Sequence, residues 1–280
     1  MFSLALSFCT QSHSPKIHGA NGTSPTMNTF KFHPTTFGVM SEILKKIKPN
    51  KAQGYDLIPP SVVKVSFQTI ARPLSNLINV VITRSEVPDT WKQGQITPHH
   101  QKDSALDKAN YRPITLLPVF GKVFERIAHM QMSDHFEPTF HKYVFAYRKY
   151  HGCFTAFPTL TEQWKEELDR HKVIGAVAMD LSKAFECLPH DLILEKLEFY
   201  GLSAKSISLL CSYLSSRYQR VKIGNTFSSW IDVSAGVLQG SILEPLLFNI
   251  FMNDVVYTIE NSKMLQTIPR FIYHTANPKL

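Results

Sequence analysis

One stretch of this chain sets a carboxylate where it could do chemistry. In Val173-Ile-Gly-Ala-Val-Ala-Met-Asp180-Leu-Ser-Lys-Ala-Phe185-Glu186, a short apolar, β-prone run ends on Asp180, and Phe185 and a second acid follow within two helical turns. A buried strand that delivers an Asp to its exposed end can hold a metal ligand at the rim of a rigid sheet, as phosphoryl transfer requires. Taken alone, a core strand followed by an acidic helix cap is the simpler account of the same residues. Two other places could contact an anionic substrate. Gly236-Val-Leu-Gln239-Gly240-Ser241-Ile-Leu-Glu244-Pro-Leu-Leu-Phe-Asn249 is a Gly-containing turn that opens an apolar helix. Its glycines permit close backbone approach and Gln239 offers a bifunctional amide, although a plain loop-to-helix junction fits equally well. Arg112 lies in a Pro-bounded loop, where a guanidinium could clamp a triphosphate bidentately; a surface Arg is the commoner explanation of any single one.

The elements that must position these residues mix helices and strands without regular βαβ alternation, so the fold class is α+β. Apolar residues at helical spacing predict a helix over Phe37–Ile47, and a second over Ser66–Arg84 that Pro73 should kink or break. Trp91–His100 reads as an edge strand interrupted by Gly94 and Pro98, followed by an extended piece over Asn110–Pro118 and a helix over Val119–Met132. Thr161–His171 reads as a polar helix. Another helix opens near Pro189 and stops at Gly201, after which Ser203 can cap its successor. Two β-prone runs around Gly224-Asn225 predict a hairpin.

Composition is permissive. The chain has 280 residues, 44% hydrophobic and 19% charged, with a formal net charge of +8, which suits a polyanionic partner without requiring one. Four scattered cysteines read as buried free thiols, and no spacing of His and Cys suggests zinc. No apolar segment approaches the ~20 residues of a membrane span. The expectation is therefore a soluble intracellular protein, in cytoplasm or nucleus, with no membrane partner. Met1–Cys9 is apolar without a basic start and is marginal as a targeting segment.

Taken together, the motifs resemble the reverse transcriptases of non-LTR retrotransposons. The resemblance runs from about Thr29 to the C-terminus through Lys51-Ala-x-Gly-x-Asp56-x-Ile-Pro, Trp91-Lys with Thr97-Pro98, and Asn110-Tyr-Arg-Pro-Ile-x-Leu-Leu-Pro-Val-x-x-Lys-Val-Phe-Glu-Arg-Ile127. It continues through Phe145-x-Tyr-Arg148, Asp180-Leu-Ser-Lys-Ala-Phe185, Leu197-x-x-Tyr-Gly-Leu-Ser203, Arg220-Val-x-Ile-Gly and the Gln239-Gly240 turn. The resemblance implies a right-hand polymerase acting on an RNA template and a DNA primer. A flexible leader would cover residues 1–28, a fingers-like region 29–160, and a palm with an antiparallel sheet 161–280, the thumb being absent. Asp180 would bind both catalytic Mg²⁺ ions, with the Leu181 carbonyl as auxiliary ligand. Phe185 would be the steric gate against a ribose 2′-OH. Arg112 and Lys102 would meet the triphosphate, and Gln239 and Gly240 would line the nucleotide and template side.

One element of that pattern is missing. The family's palm carries paired aspartates after the Gln-Gly turn, whereas beyond Asp254 the sole acid here is Glu260. Phe271-Ile-Tyr273-His274-Thr275 aligns without a gap to Phe-x-Asp-Asp-Thr, which puts Tyr273 and His274 where the aspartates are expected; deletion of the motif is the alternative. A phenol and an imidazole cannot balance two divalent cations, so Mg²⁺ binding and catalysis should be lost. Glu186 for Asp, Leu238 for Pro and Glu244 for Gly are further departures. The expectation is a degenerate, truncated polymerase domain, inactive by loss of its carboxylates, or a non-enzymatic nucleic-acid-binding remnant. A third reading, that no stable protein forms, follows if truncation leaves an unpaired sheet edge.

Overall fold

The computed structural model describes residues 29–101, 103–180, 185–255, 262–267 and 270–277. Residues 1–28, and Lys102 and Leu181 among the expected site residues, lie outside these. The chain forms two compact units, one from residues 28–133 and 185–244, the other from 134–184 and 245–280.

In the first unit, α1 (Phe37–Lys45) starts where the Thr36 side chain accepts the Val39 N–H. Its buried Met40 and Leu44 pack toward α3 (Phe67–Arg84), which follows the short α2 (Pro60–Val65). Ala71, Leu74, Ile78, Val81 and Ile82 form the buried stripe of α3 at helical spacing. Of the expected kink or break at Pro73, the break does not occur: α3 continues through it. Pro73 and Thr69, whose carbonyl loses its N–H partner, are both exposed, so water can take over that hydrogen bond.

After α4 (Asp89–Lys92) comes β1 (Gln93–His100), which pairs antiparallel with β2 (Tyr111–Leu116) and parallel with β4 (Arg217–Ile223). The expectation of an edge strand is therefore corrected: β1 lies between β2 and β4, with both partners at Gln95 and Ile96. Pro98 is tolerated because β4 pairing ends at Ile96 and Pro98 stands opposite Pro113, a register position at which neither needs to donate. The predicted hairpin is present as β4 and β5 (Thr226–Phe227), with Gly224 at φ +58 and β6 (Ile231–Val233) added on β4. Helix α5 (Val119–Phe136) leads out of this unit, while α7 (His190–Phe199) and α8 (Ala204–Leu214) pack on each other within it. Ser203 caps α8 through the Ser206 N–H, and Gly201 has φ +90 after α7, both as the sequence predicts.

In the second unit, α6 (Cys153–Asp169) starts eight residues before the predicted Thr161 and passes through Pro158. It packs against a three-stranded antiparallel sheet ordered β3 (Val173–Asp180), β8 (Arg270–Asn277), β7 (Ser262–Thr267). A small core of Tyr143, Phe145, Ala156 and Leu160, with Trp164 against it, lies over the segment before α6. Helix α9 (Glu244–Met252) and the residue that follows it hold that segment through two asparagines. Asn249 donates to the Ala146 carbonyl at 2.6 Å, and Asn253 bridges the His141 N–H and the Thr139 carbonyl. Among the described residues, no helix is long and apolar enough to cross a membrane.

Arg148 ties the same segment together. Its Nε and Nη2 donate to Glu137 at 3.1 and 2.7 Å, while Nη1 reaches the carbonyls of His141 and Val144 at 3.2 and 2.9 Å. With its side chain 9% exposed, this guanidinium is a structural clasp. Arg148→Ala should lower the stability of this unit by about 2 kcal/mol, since it removes charge-assisted bonds and orphans two carbonyls. Urea denaturation checks this; an unchanged midpoint would show that the clasp is replaceable.

Candidate functional site

Four of the expected nucleotide-side residues come together within the first unit. Gly236 (φ +80) starts the turn: its N–H donates to the Leu188 carbonyl at 2.8 Å, and the Val237 N–H donates to the Phe185 carbonyl at 2.9 Å. A Cβ on Gly236 would strike the backbone of Glu186, so only glycine lets these segments meet. His190 fixes the other side through a 2.7 Å bond between its Nε2 and the Gly236 carbonyl. Phe185 is thereby held against the turn that carries Gln239 and Gly240.

The turn also docks on β2. The Thr115 N–H donates to the Gln239 carbonyl at 2.9 Å, and Gly240 (φ +111) lies so close that a Cβ would sit 2.8 Å from the Thr115 carbonyl. With its amide assigned so that both ends are satisfied, Gln239 accepts from Arg112 Nε at 3.0 Å and donates to the Pro113 carbonyl at 2.7 Å. Gln239 thus orients a guanidinium that is itself exposed. Its terminal nitrogens remain able to meet an anion such as a phosphate.

Sequence reasoning missed what holds this turn from beneath. Glu125 on α5 is 1% exposed and accepts at both oxygens, from the Tyr213 hydroxyl at 2.7 Å and the Ile242 N–H at 2.8 Å. Tyr213 also meets the Ser241 hydroxyl at 2.9 Å, and Ser241 accepts the Leu243 N–H at 3.1 Å. Burial, with the Glu125 charge beside it, pushes the Tyr213 phenol well above its ordinary value, so it stays a neutral donor. Buried Arg217 stacks on the Tyr213 ring at 4.5 Å and donates to its carbonyl at 2.6 Å. The available signal was Glu125 itself, an acid flanked by apolar Val123, Phe124 and Ile127 in one of the quoted motifs.

Glu244 folds back on the same turn. Its Oε2 accepts the Gly240 N–H at 2.8 Å, so the carboxylate occupies a donor beside the Arg112–Gln239 pair. Desolvation by burial pushes its pKa up from the ordinary 4.5 to about 7. Glu125 and Glu186 add to the rise, while the Gly240 bond and Arg112 oppose it. A carboxyl that holds its proton more tightly in the fold than in the unfolded chain destabilises the fold once ionised.

Asp180 belongs to the other unit. It ends β3, in register with Arg270 of β8, whereas Tyr273 and His274 stand opposite Val177 and Ala176. The three strands of this sheet, VIGAVAMD, SKMLQT and RFIYHTAN, contain one acidic residue, Asp180. Among the described residues, no group of three His, Cys, Asp or Glu side chains could hold a metal ion.

Comparison with known proteins agrees with the motifs. A family model described as "Reverse transcriptase (RNA-dependent DNA polymerase)" matches residues 99–272, more than half of the chain. The chain is 28% identical to a probable RNA-directed DNA polymerase from transposon X-element of Drosophila melanogaster, covering 77% of this chain and 24% of that protein. It is 28% identical to the RNA-directed DNA polymerase from mobile element jockey of Drosophila funebris, over 90% of this chain and 28% of the relative. With a Pol polyprotein from the type-1 retrotransposable element R2 of Popillia japonica, identity is 22% over 67% of this chain and 26% of the relative. The chain spans about a quarter of the length of these curated relatives.

Two outcomes are expected from this geometry. Stability should fall as pH rises from about 4.5 to about 7, and Glu244→Gln should remove a part of that fall on the order of 2–3 kcal/mol. Urea denaturation on either side of that window measures it, and a variant with the wild-type pH dependence would mean that the Glu244 carboxyl is solvated. In the sheet, Arg270→Asp should raise Mn²⁺ affinity severalfold, because it sets a second carboxylate across the ladder from Asp180. Tyr273→Asp with His274→Asp, three and four positions further along, should do less; the reverse order in a Mn²⁺ titration would place the strand in another register.

Proposed function

This chain belongs to the reverse transcriptase (RNA-dependent DNA polymerase) family, and from that premise we propose that it is a non-LTR RNA-directed DNA polymerase domain by descent that no longer performs metal-dependent nucleotidyl transfer. One observation carries the second half of this reading: the sheet that contains Asp180 offers no other carboxylate. Family catalysis uses a pair of Mg²⁺ ions to activate the primer 3′-OH and to stabilise the leaving pyrophosphate. Two such ions bring four positive charges and demand hard oxygen ligands. One Asp, even with a backbone carbonyl at Leu181, does not match that demand, so the residues present do not fit the ion pair. Tyr273 and His274, in the sequence positions of the lost aspartates, cannot substitute, because neither is an anionic oxygen donor at neutral pH.

In this reading the nucleotide side outlasts the metal side. Arg112, oriented by Gln239, meets the incoming triphosphate, and Lys102 is assigned to it from its place in the sequence alone; Phe185 is the gate; Gln239 and Gly240 line the nucleotide and template side. Residues 29–160 correspond to fingers and 161–280 to palm, with an RNA template and a DNA primer as the family's partners. The assembled turn and its Arg112 contact support this assignment. Glu244 opposes it, because a carboxylate beside Arg112 repels the phosphates that the site would take.

Primer extension on an RNA template with Mg²⁺ or Mn²⁺ should give no incorporation above a no-enzyme control. Incorporation that vanishes in Asp180→Ala would overturn the proposal.

A further inference from the structure

Helix α6 is apolar on two sides, and the fold covers one of them. Ala156 and Leu160 join the small core with Tyr143 and Phe145, and Trp164 packs against it. At about 100° per residue, Phe154, Phe157, Thr161 and Leu168 line up as a second stripe, roughly a quarter-turn around the helix from the first. This stripe stands in solvent: Phe154 is 97% exposed, Phe157 65% and Leu168 56%. At its middle, Thr161 turns its hydroxyl back onto the Phe157 and Pro158 carbonyls of its own helix, at 3.1 and 3.0 Å. None of these residues belongs to the candidate site.

Charge narrows what can cover the stripe. Helix α6 carries Glu162, Glu166, Glu167 and Asp169 against Lys165 alone. A polyanion would meet four like charges here, so this face of a basic chain does not suit one. The acids also stand about a quarter-turn or more from the centre of the stripe, and the charge nearest to it is Lys165. The stripe thus offers ring and methyl surface with little charge across it, which an apolar surface of similar kind can match. Its spacing matches itself. Phe154 and Leu168 lie equally far from Thr161, so two such helices packed antiparallel about Thr161 set each Phe154 against Leu168 of the other copy. Phe157 then meets the apolar stem of Lys165, whose ammonium can reach the ring face.

We propose that the Phe154–Phe157–Leu168 stripe of α6 is the contact between two copies of this chain, packed antiparallel about Thr161. A buried aromatic side chain removes about 150–250 Å² from water, so covering the exposed parts of these residues buries on the order of 400 Å² per copy. Two copies together bury roughly 800 Å², below the ~1,200 Å² of a standard stable interface. The dimer is therefore weak, with a dissociation constant on the order of tens of micromolar. The inference does not rest on the proposed function and is independent of the Asp180 carboxylate count.

The test is sedimentation equilibrium of the full chain from a few to a few hundred micromolar. A reversible monomer–dimer equilibrium is expected. Phe154→Glu should weaken it by at least about tenfold, because it sets a charge in the centre of an apolar contact. Its thermal unfolding should match the wild type, since that side chain is already in water. A second pair of variants reads the register. Thr161→Cys should form an intermolecular disulfide under mild oxidation, because antiparallel packing about that residue brings the two copies' Cα atoms within the ~7 Å that a disulfide spans. Glu162→Cys, on the far side of the helix, should give no more crosslinked dimer than the wild type with its native cysteines. A chain that stays monomeric throughout would overturn the proposal, and so would a dimer indifferent to Phe154→Glu, which another surface must hold. A monomeric wild type with a less stable Phe154→Glu variant would mean that the stripe is covered within its own chain, and would overturn it too. Equal crosslinking at residues 161 and 162 would overturn the antiparallel register. None of these outcomes bears on the family or on nucleotidyl transfer.

Discussion

A buried carboxylate organises the first unit. Glu125 lies in an apolar interior, where an unpaired charge would cost several kcal/mol. Both of its oxygens are satisfied, one by a phenol from α8 and one by a backbone N–H of the turn after Gly240. The turn cannot shift without stranding that charge, and β2 holds its other end through Thr115. Gln239 is fixed in consequence, and Gln239 orients Arg112. A single desolvated anion on α5 therefore fixes the position of a guanidinium on β2 through a chain of short hydrogen bonds.

The same electrostatic rule works in the opposite direction at Glu244 and at Asp180. Glu244 has a donor, the Gly240 N–H, but too few neighbours of opposite charge to offset its burial, so its proton stays on far above the usual carboxylate range. Asp180 is in register with an arginine, in a sheet without another acid. Carboxylates thus tighten the turn of the first unit, while the three strands around Asp180 carry no other acid. The proposed loss of catalysis and the proposed nucleotide side are compatible because different residues in separate compact units carry them.

Much of this was legible in the residue order. The capped start at Ser203, the stop at Gly201 and the hairpin at Gly224-Asn225 rest on local dihedral and hydrogen-bonding preferences, and each appears in the structure. Arg112, Phe185, Gln239 and Gly240 also stand in the quoted motifs, and the structure brings them together around one turn. Local rules misled where solvent or a distant partner decided. Pro73 leaves α3 unbroken because the orphaned carbonyl of Thr69 faces water. Strand β1 is internal because β4, more than a hundred residues away, pairs with the half of it that lacks proline.

The sequence by itself determined the family, the mixed α+β class and the number of carboxylates available after the Gln-Gly turn, because each of these is a property of residue types and their order. Tertiary structure alone decided that Glu125 supports the turn, that Glu244 occupies the Gly240 N–H, and that Asp180 stands in register with Arg270. It also decided that the apolar Phe154, Phe157 and Leu168 stand exposed along one side of α6. Charge and hydrogen-bonding capacity are written in the chain, but the partner that satisfies each group depends on distances that only folding sets.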